Sequence, residues 1–277
     1  MAIPKKIHWC WLSGDPLPKI IQDCVNSWKR IMPDYEFVLW DMNRFDVHSV
    51  KFVEDACAAR KWAFAADYIR FYALYTEGGI YFDSDVMVYR RFDDLLDCSA
   101  FTGTIEYPAK IRLSDNSILD LNWFLEAEMI GAEINHPFIK ACLDFYDTKT
   151  VFQVDEKGNV LNDIAPGVIT RVAYEQFGLN PNQSVSKLIK LRAGIVIHQP
   201  TVLGGVKWRA VNIKSYANHL CYISWRNTKR KSSFVGETYE RLCAKFRLIT
   251  TLYILWKKIR RFVVNFGKKR ETINLCI

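Results

Sequence analysis

The sequence predicts an α/β fold, and three observations carry that reading. The chain opens with a strand, a helix and a second strand. A long alanine-rich helical pattern follows and is stopped by paired glycines. Directly after the glycines, a very short apolar strand ends in Asp83-Ser84-Asp85. Lys6 to Leu12 is short, apolar and aromatic, and Ser13-Gly14-Asp15-Pro16 closes it as a turn. Pro18 to Ile31 places Ile20, Ile21, Cys24, Trp28 and Ile31 on one helical face. Pro33-Asp34 ends that helix, and Tyr35 to Trp40 reads as the second strand, ending at Asp41. In such a unit, ligands sit beyond the carboxyl ends of the strands.

Phe52 to Tyr75 contains a strong helical pattern, with alanines at 56, 58, 59, 63, 65 and 66 allowing close packing and Gly78-Gly79 supplying a left-handed stop. Ile80-Tyr81-Phe82 is a buried strand that delivers Asp83-Ser84-Asp85, and Val86 to Tyr89 continues as strand. Beyond it come mixed elements from Ala100 to Tyr146 and a polar loop near Asp155 to Gly158. A helix is expected near Pro166 to Gln176, then strands near Leu188 to His198 and His219 to Trp225. No internal repeat or low-complexity segment is present.

Composition narrows the class. Half of the 277 residues are hydrophobic and 14% aromatic, enough to bury a full core as one large domain with or without a small appendage. The eight cysteines are scattered without a CxxC pair, and the first residues lack the apolar core of a secretory signal. A reducing cytoplasm is the expected home. No run reaches the roughly 18 apolar residues that suggest a membrane span. From Arg226 onward there are fourteen basic and three acidic residues, a net +11, so the first 225 residues carry −3 of the overall +8. A mildly acidic body with a basic tail is the expectation.

Two aspartates at the end of a buried strand cost stability through like-charge repulsion and desolvation, and a divalent cation removes both costs. In a regular strand, residues i and i+2 face the same side, so Asp83 and Asp85 are expected to address one ion. Hard oxygen ligands favour Mg²⁺ or Mn²⁺, and a nucleotide-sugar diphosphate needs such a charge as it departs. Asp67 and Arg70 lie three residues apart on one helix face. Two readings stand for them. They form a local ion pair, or Asp67 holds sugar hydroxyls while Arg70 sits near the phosphate or the glycosidic oxygen.

At these residues the chain resembles glycosyltransferase family 32. The resemblance is carried by Ala65-Ala66-Asp67-Tyr68-Ile69-Arg70, then Ala73-Leu74-Tyr75, then Gly78-Gly79-Ile80-Tyr81-Phe82-Asp83-Ser84-Asp85-Val86. Ile3 to Trp11, Ser27-Trp28, Pro33-Asp34-Tyr35-Glu36, Trp40-Asp41, Ile130-Gly131-Ala132-Glu133 and His136-Pro137 extend it over roughly residues 3–140. That family includes relatives of yeast-type initiating mannosyltransferases, bacterial capsule and O-antigen enzymes, and kin of the glucosylating toxins.

The resemblance implies a GT-A type fold with a mixed, mostly parallel sheet over residues 1–235, and transfer with retention of configuration. It implies Asp85 as direct metal ligand, and Asp83 contacting ribose or donor sugar or reaching the metal through water. It places Tyr81 beside the donor and Trp11 as a stacking platform for the nucleobase, a contact worth roughly 1–3 kcal/mol; a core position is the alternative for Trp11. His219 followed by Ser224-Trp225 matches a pattern near the end of the family's catalytic domain. By resemblance His219 is a further metal or diphosphate contact, and Ser224-Trp225 sit on a loop over the donor; a satisfied structural histidine is the alternative. His8, His48, His136 and His198 are read as structural. Gln199-Pro200-Thr201 replaces an aromatic-rich segment of related sequences, so the acceptor side departs from the family pattern.

The expected activity is thus transfer from a nucleotide sugar, UDP before GDP, to a saccharide or lipid-linked saccharide acceptor in cell-surface glycan or capsule synthesis. Residues 236–277 read as a basic amphipathic helix with Tyr239, Leu242, Phe246, Tyr253 and Trp256 on one face. Such a helix lies on an anionic membrane surface or packs on the domain. The membrane reading puts the protein in the cytoplasm, at the inner face of the membrane. Three other classes compete with this reading. A haloacid-dehalogenase-type phosphotransferase requires Thr or Val where Met87 stands. A degenerate sugar-nucleotide-binding module is opposed by intact Asp67, Arg70, Asp83 and Asp85. Nucleic-acid binding has only the tail's charge in its favour and no recognition motif.

Overall fold

The computed structural model describes residues 2–149, 151–156, 160–203 and 215–221. Ser224, Trp225, the boundary at 235/236 and the tail 236–277 lie outside the described residues. The amino-terminal unit follows the expected order: β1 (Lys6–Cys10), α1 (Lys19–Ile31) and β2 (Glu36–Trp40). The long helical stretch is two helices, α2 (Lys51–Ala58) and α3 (Trp62–Glu77), not one. Arg60 adopts a left-handed φ of 55° between them, and the Lys61 N–H returns to the Ala56 carbonyl at 2.8 Å. Such a turn breaks a helix even where every side chain is a good helix former. The helical periodicity on either side hides it in the sequence.

After α3 come β3 (Gly79–Phe82), β4 (Val86–Val88), β5 (Ala100–Ile105), β6 (Ala109–Arg112), β7 (Ile118–Leu121), β8 (Phe124–Leu125) and β9 (Met129–Ala132). Next are α4 (Pro137–Lys149), α5 (Ala165–Phe177), β10 (Ile189–Lys190), β11 (Ile195–His198), α6 (Pro200–Leu203) and β12 (Ala217–His219). The central sheet runs β10-β11-β5-β9-β3-β1-β2, with β8 paired to β5. β2, β1, β3, β5 and β11 share one direction, while β9 and β10 run against them. This is the mixed, mostly parallel α/β sheet expected.

Both faces of the sheet are covered. Ile7, Trp9, Ile80 and Phe82 join Trp28 of α1 in one core cluster. Cys10 and Tyr81 point the other way, into a larger cluster with Phe64, Ile69, Phe71 and Leu74 of α3. That alternation is the period-2 consequence of a strand buried on both sides. α3 leads into β3 without a spacer because Gly78 takes φ 63° and Gly79 φ 104°. A Cβ on Gly79 would stand 2.6 Å from the Lys6 carbonyl oxygen. His8, between the strands, donates from Nε2 to the Gly78 carbonyl at 2.7 Å and accepts at Nδ1 from the Trp40 indole at 3.0 Å. Burial holds its pKa down to about 4, so it is a neutral structural pin.

β4 is not a continuation of β3. It leaves the central sheet and pairs with β12 in a separate two-stranded ladder. Asp83-Ser84-Asp85 therefore occupies a turn, in which the Val86 N–H returns to the Asp83 carbonyl at 3.0 Å. The strand geometry expected for the pair is corrected accordingly: the chain changes sheets at these residues.

Candidate active site

The site forms where β3 ends. The Asp83 N–H donates to the Glu128 carbonyl at 2.9 Å, the last tie to the strand on that side. On the far side of the turn, α1 holds β4: the Trp28 indole donates to the Val86 carbonyl at 2.6 Å, and the Val88 N–H donates to the Ser27 hydroxyl at 3.0 Å. The turn is thus clamped at both ends by buried groups.

β12 brings His219 to the same place. His219 is in register with Val86, and the Leu220 N–H donates to the Asp85 carbonyl at 3.1 Å. His219 Nε2 lies 3.1 Å from Asp85 Oδ1 and 3.9 Å from Asp83 Oδ2. One ligand atom each from Asp83, Asp85 and His219 all fall within 4.8 Å of one another. Two carboxylate oxygens and an imidazole nitrogen suit Mn²⁺ or Mg²⁺, and the carboxylates need such a partner. Asp85 is buried, and burial raises the Asp83 carboxyl pKa even with Arg70 and His219 beside it. These residues fit a divalent cation. Burial pulls the His219 pKa down, but Asp85 and Glu128 outweigh it and hold the ring well above the ordinary histidine value.

Arg70 stands on the other flank. Its Nη2 is 2.6 Å from Asp67 Oδ1 and 3.4 Å from Asp83 Oδ1, and its Nη1 donates to the Ala127 carbonyl at 2.5 Å. Its guanidinium carbon lies 4.8 Å from the centre of the Tyr81 ring, a cation–π contact made in a fully buried setting. Asp67 also accepts from the Ala165 N–H at 3.3 Å, the first donor of α5. Burial nevertheless lifts the Asp67 carboxyl to about 6. Of the two readings of this pair, the ion pair is what the structure shows: Asp67 and Arg70 are paired, and that pair faces Asp83. A carboxylate has about four lone-pair directions, so Asp67 retains acceptor capacity.

Trp11 follows the carboxyl end of β1, beside β3. Its backbone N–H donates to Trp40 and its indole donates to the Asp15 carbonyl at 2.7 Å. It is only partly buried and packs against the core cluster that contains Trp9 and Trp28. Tyr81 is 1% exposed and lies beneath Arg70. His136 and His198 sit within the packed body, and exposed His48 pairs with Glu54 at 2.9 Å.

Sequence reading missed the segment Glu126-Ala127-Glu128, which passes directly behind the site. Ala127 supplies the carbonyl for Arg70, and Glu128 reaches His219 Nδ1 at 3.4 Å. Two glutamates flanking an alanine in an apolar run were the available signal.

Residues 18–102 match the family described as glycosyltransferase sugar-binding region containing DXD motif. Over 142 residues the chain is 31% identical to inositol phosphoceramide mannosyltransferase 3 of Schizosaccharomyces pombe, covering 50% of this chain and 35% of that protein. The chain therefore spans about a third of the length of that relative. Among solved structures, the galactosyltransferase LgtC in complex with donor and acceptor sugar analogs is similar with a TM-score of 0.45 at 12% identity, over 87% of this chain and 96% of that one. The PaToxG glycosyltransferase gives 0.40 at 19% identity, over 63% and 70%. The matched residues 18–102 hold α1, Asp67, Arg70 and the Asp83-Ser84-Asp85 turn.

Proposed function

We propose that the chain is a metal-dependent, retaining glycosyltransferase of GT-A type that moves a sugar from a nucleotide-sugar donor, UDP before GDP, to a saccharide or lipid-linked saccharide acceptor. The observation that carries this reading is the convergence of Asp83, Asp85 and His219 on one point, with the Arg70 guanidinium against the same Asp83 carboxylate. Asp85, Asp83 and His219 would hold Mn²⁺ or Mg²⁺. When bound, the cation supplies positive charge for the diphosphate as it leaves. Arg70 adds a second fixed positive charge, oriented in advance by Asp67, Ala127 and Tyr81.

In the reaction the bond between the anomeric carbon and the diphosphate oxygen breaks, and its electron pair leaves with the diphosphate. The acceptor hydroxyl oxygen bonds to that carbon on the face just vacated, and its proton passes to a departing phosphate oxygen. No side chain is assigned as covalent nucleophile. Asp67 accepts from a donor-sugar hydroxyl, and Trp11 stacks on the base.

No helix among the described residues is long and apolar enough to cross a membrane. The basic segment 236–277 supports contact with an anionic membrane at the cytoplasmic face, in service of a cell-surface glycan or capsule acceptor. Deleting it is expected to abolish sedimentation with anionic liposomes; unchanged sedimentation removes that part of the reading. For the activity itself, a panel of UDP- and GDP-sugars is incubated with the protein with and without Mn²⁺. Release of free sugar from one donor only when metal is present is expected. Absence of metal-stimulated release across the panel, with nucleotide still bound, would favour a non-catalytic binding module.

A further inference from the structure

Glu128 makes two separate attachments to the candidate metal site, and it belongs to neither the DXD motif nor the matched region 18–102. Its backbone carbonyl accepts the Asp83 N–H at 2.9 Å and so fixes one end of the turn that carries both aspartates. Its side chain is 4% exposed. Oε2 accepts the Ala127 N–H at 3.1 Å, which sets the direction of the carboxylate. Oε1 then points at His219 Nδ1, 3.4 Å away, and has no hydrogen-bond partner of its own among the described residues. The opposite ring nitrogen, Nε2, faces Asp85 at 3.1 Å and Asp83 at 3.9 Å.

An imidazole presents a lone pair from one nitrogen only when the other carries the proton, and the partner of that N–H fixes tautomer and ring orientation. A buried carboxylate behind Nδ1 makes Nε2 the nitrogen available to a cation held at the Asp83–Asp85 turn. Cys221 Sγ approaches the same Nδ1 at 3.7 Å, but a thiol is a far weaker acceptor than a carboxylate.

Resting on the metal-site reading above, we propose that Glu128 is the positioning residue that aims His219 Nε2 at the Asp83–Asp85 turn and thereby sets the protein's affinity for its divalent cation. Glu128 acts through His219, 3.4 Å away. Partners of this kind are worth about 10–100-fold in metal affinity.

The test is Mn²⁺ binding to the full chain, read by electron paramagnetic resonance of free and bound ion, without donor or turnover. Glu128→Ala is expected to weaken binding by about 10–100-fold. Glu128→Gln, whose amide oxygen still accepts from Nδ1–H, is expected to recover part of that loss. Removing one negative charge near a cation also weakens binding by simple Coulomb attraction, so both variants are repeated in a His219→Ala background. There the cost of losing Glu128 is expected to shrink to a few-fold. An undiminished cost in that background overturns the positioning role, as does wild-type affinity in Glu128→Ala. Should Glu128→Ala fail to fold, Glu128→Gln alone decides: a loss with His219 present that shrinks in the His219→Ala background supports positioning, and no loss, or an equal loss in both backgrounds, refutes it. If the wild-type chain binds no Mn²⁺, the metal-site reading falls and takes this inference with it; if wild type binds and only the Glu128 outcomes fail, the metal site stands.

Discussion

Two clusters of the same side-chain types lie at opposite ends of the sheet and behave in opposite ways. Near the amino end of β1, Lys5, Asp34, Arg91 and Asp93 form an exposed network, with Arg91 bidentate on Asp34 at 2.7 and 2.8 Å. At the carboxyl end of β3, Arg70 is held between Asp67 and Asp83. The Asp34 and Arg91 side chains are 47% and 40% exposed, whereas those of Asp67 and Arg70 are 10% and 5% exposed. Hydrogen bonds from Arg91 and Lys5 draw the Asp34 pKa far below the usual carboxylate range. Burial drives Asp67 the other way, to about 6, although its arginine is equally close.

The difference is solvation. In water an ion pair replaces good hydration with a good partner and gains little. In a dry pocket each charge has lost its hydration, and one guanidinium does not restore it for two carboxylates. The exposed network is a local brace. The buried cluster is left short of positive charge, which is the condition the proposed cation and the proposed leaving diphosphate would exploit.

The sharpest way to break this comparison is Asp85→Ala. Transfer is expected to fall by about 10³-fold with the fold retained, measured as donor turnover alongside circular dichroism. Near-normal turnover would remove the turn from the chemistry. Next is Arg70→Ala, which leaves Asp67 and Asp83 without their buried counter-charge. It is expected to destabilise the protein by about 3–5 kcal/mol in denaturant unfolding, and added Mn²⁺ should recover part of that loss.

Asp67→Asn probes the pH side of the contrast in metal-free buffer. Because burial raises the folded-state pKa of Asp67 above its unfolded value, its stabilising contribution is full below about pH 4 and is lost as pH rises through about 6. Relative to Asp67→Asn, the wild type should therefore lose on the order of 2–3 kcal/mol between those limits. A pH-independent difference between the two proteins would contradict the raised pKa. The smallest effect is expected from Arg91→Ala: turnover unchanged and a melting temperature within a few degrees of wild type. A large loss there would mean that exposure is not what separates the clusters.

How far the residues could be read in advance varies along the chain. The β1-α1-β2 unit was legible because apolar periodicity and Pro and Gly punctuation are local. The same is true of the Gly78-Gly79 stop and the pairing of Asp67 with Arg70, since an i, i+3 spacing puts both on one helix face. The break at Arg60 was not legible, because one left-handed residue leaves no mark in a continuous helical pattern. Nor was the turn at Asp83 to Asp85. Three residues between two short apolar runs look like a continuous strand unless one knows that the second run pairs with β12.

By itself the sequence determined the fold class and which aspartates and arginine would stand together on α3 and beyond β3, because those features depend on spacing within a few residues. It also carried the resemblance that brought His219 under consideration. Only the tertiary structure decided that β4 changes sheets, that β12 sets His219 beside Asp85, and that Glu128 stands behind the imidazole. Each of those contacts joins residues distant in the chain, and their geometry is set by strand pairing and by burial, which no local pattern encodes.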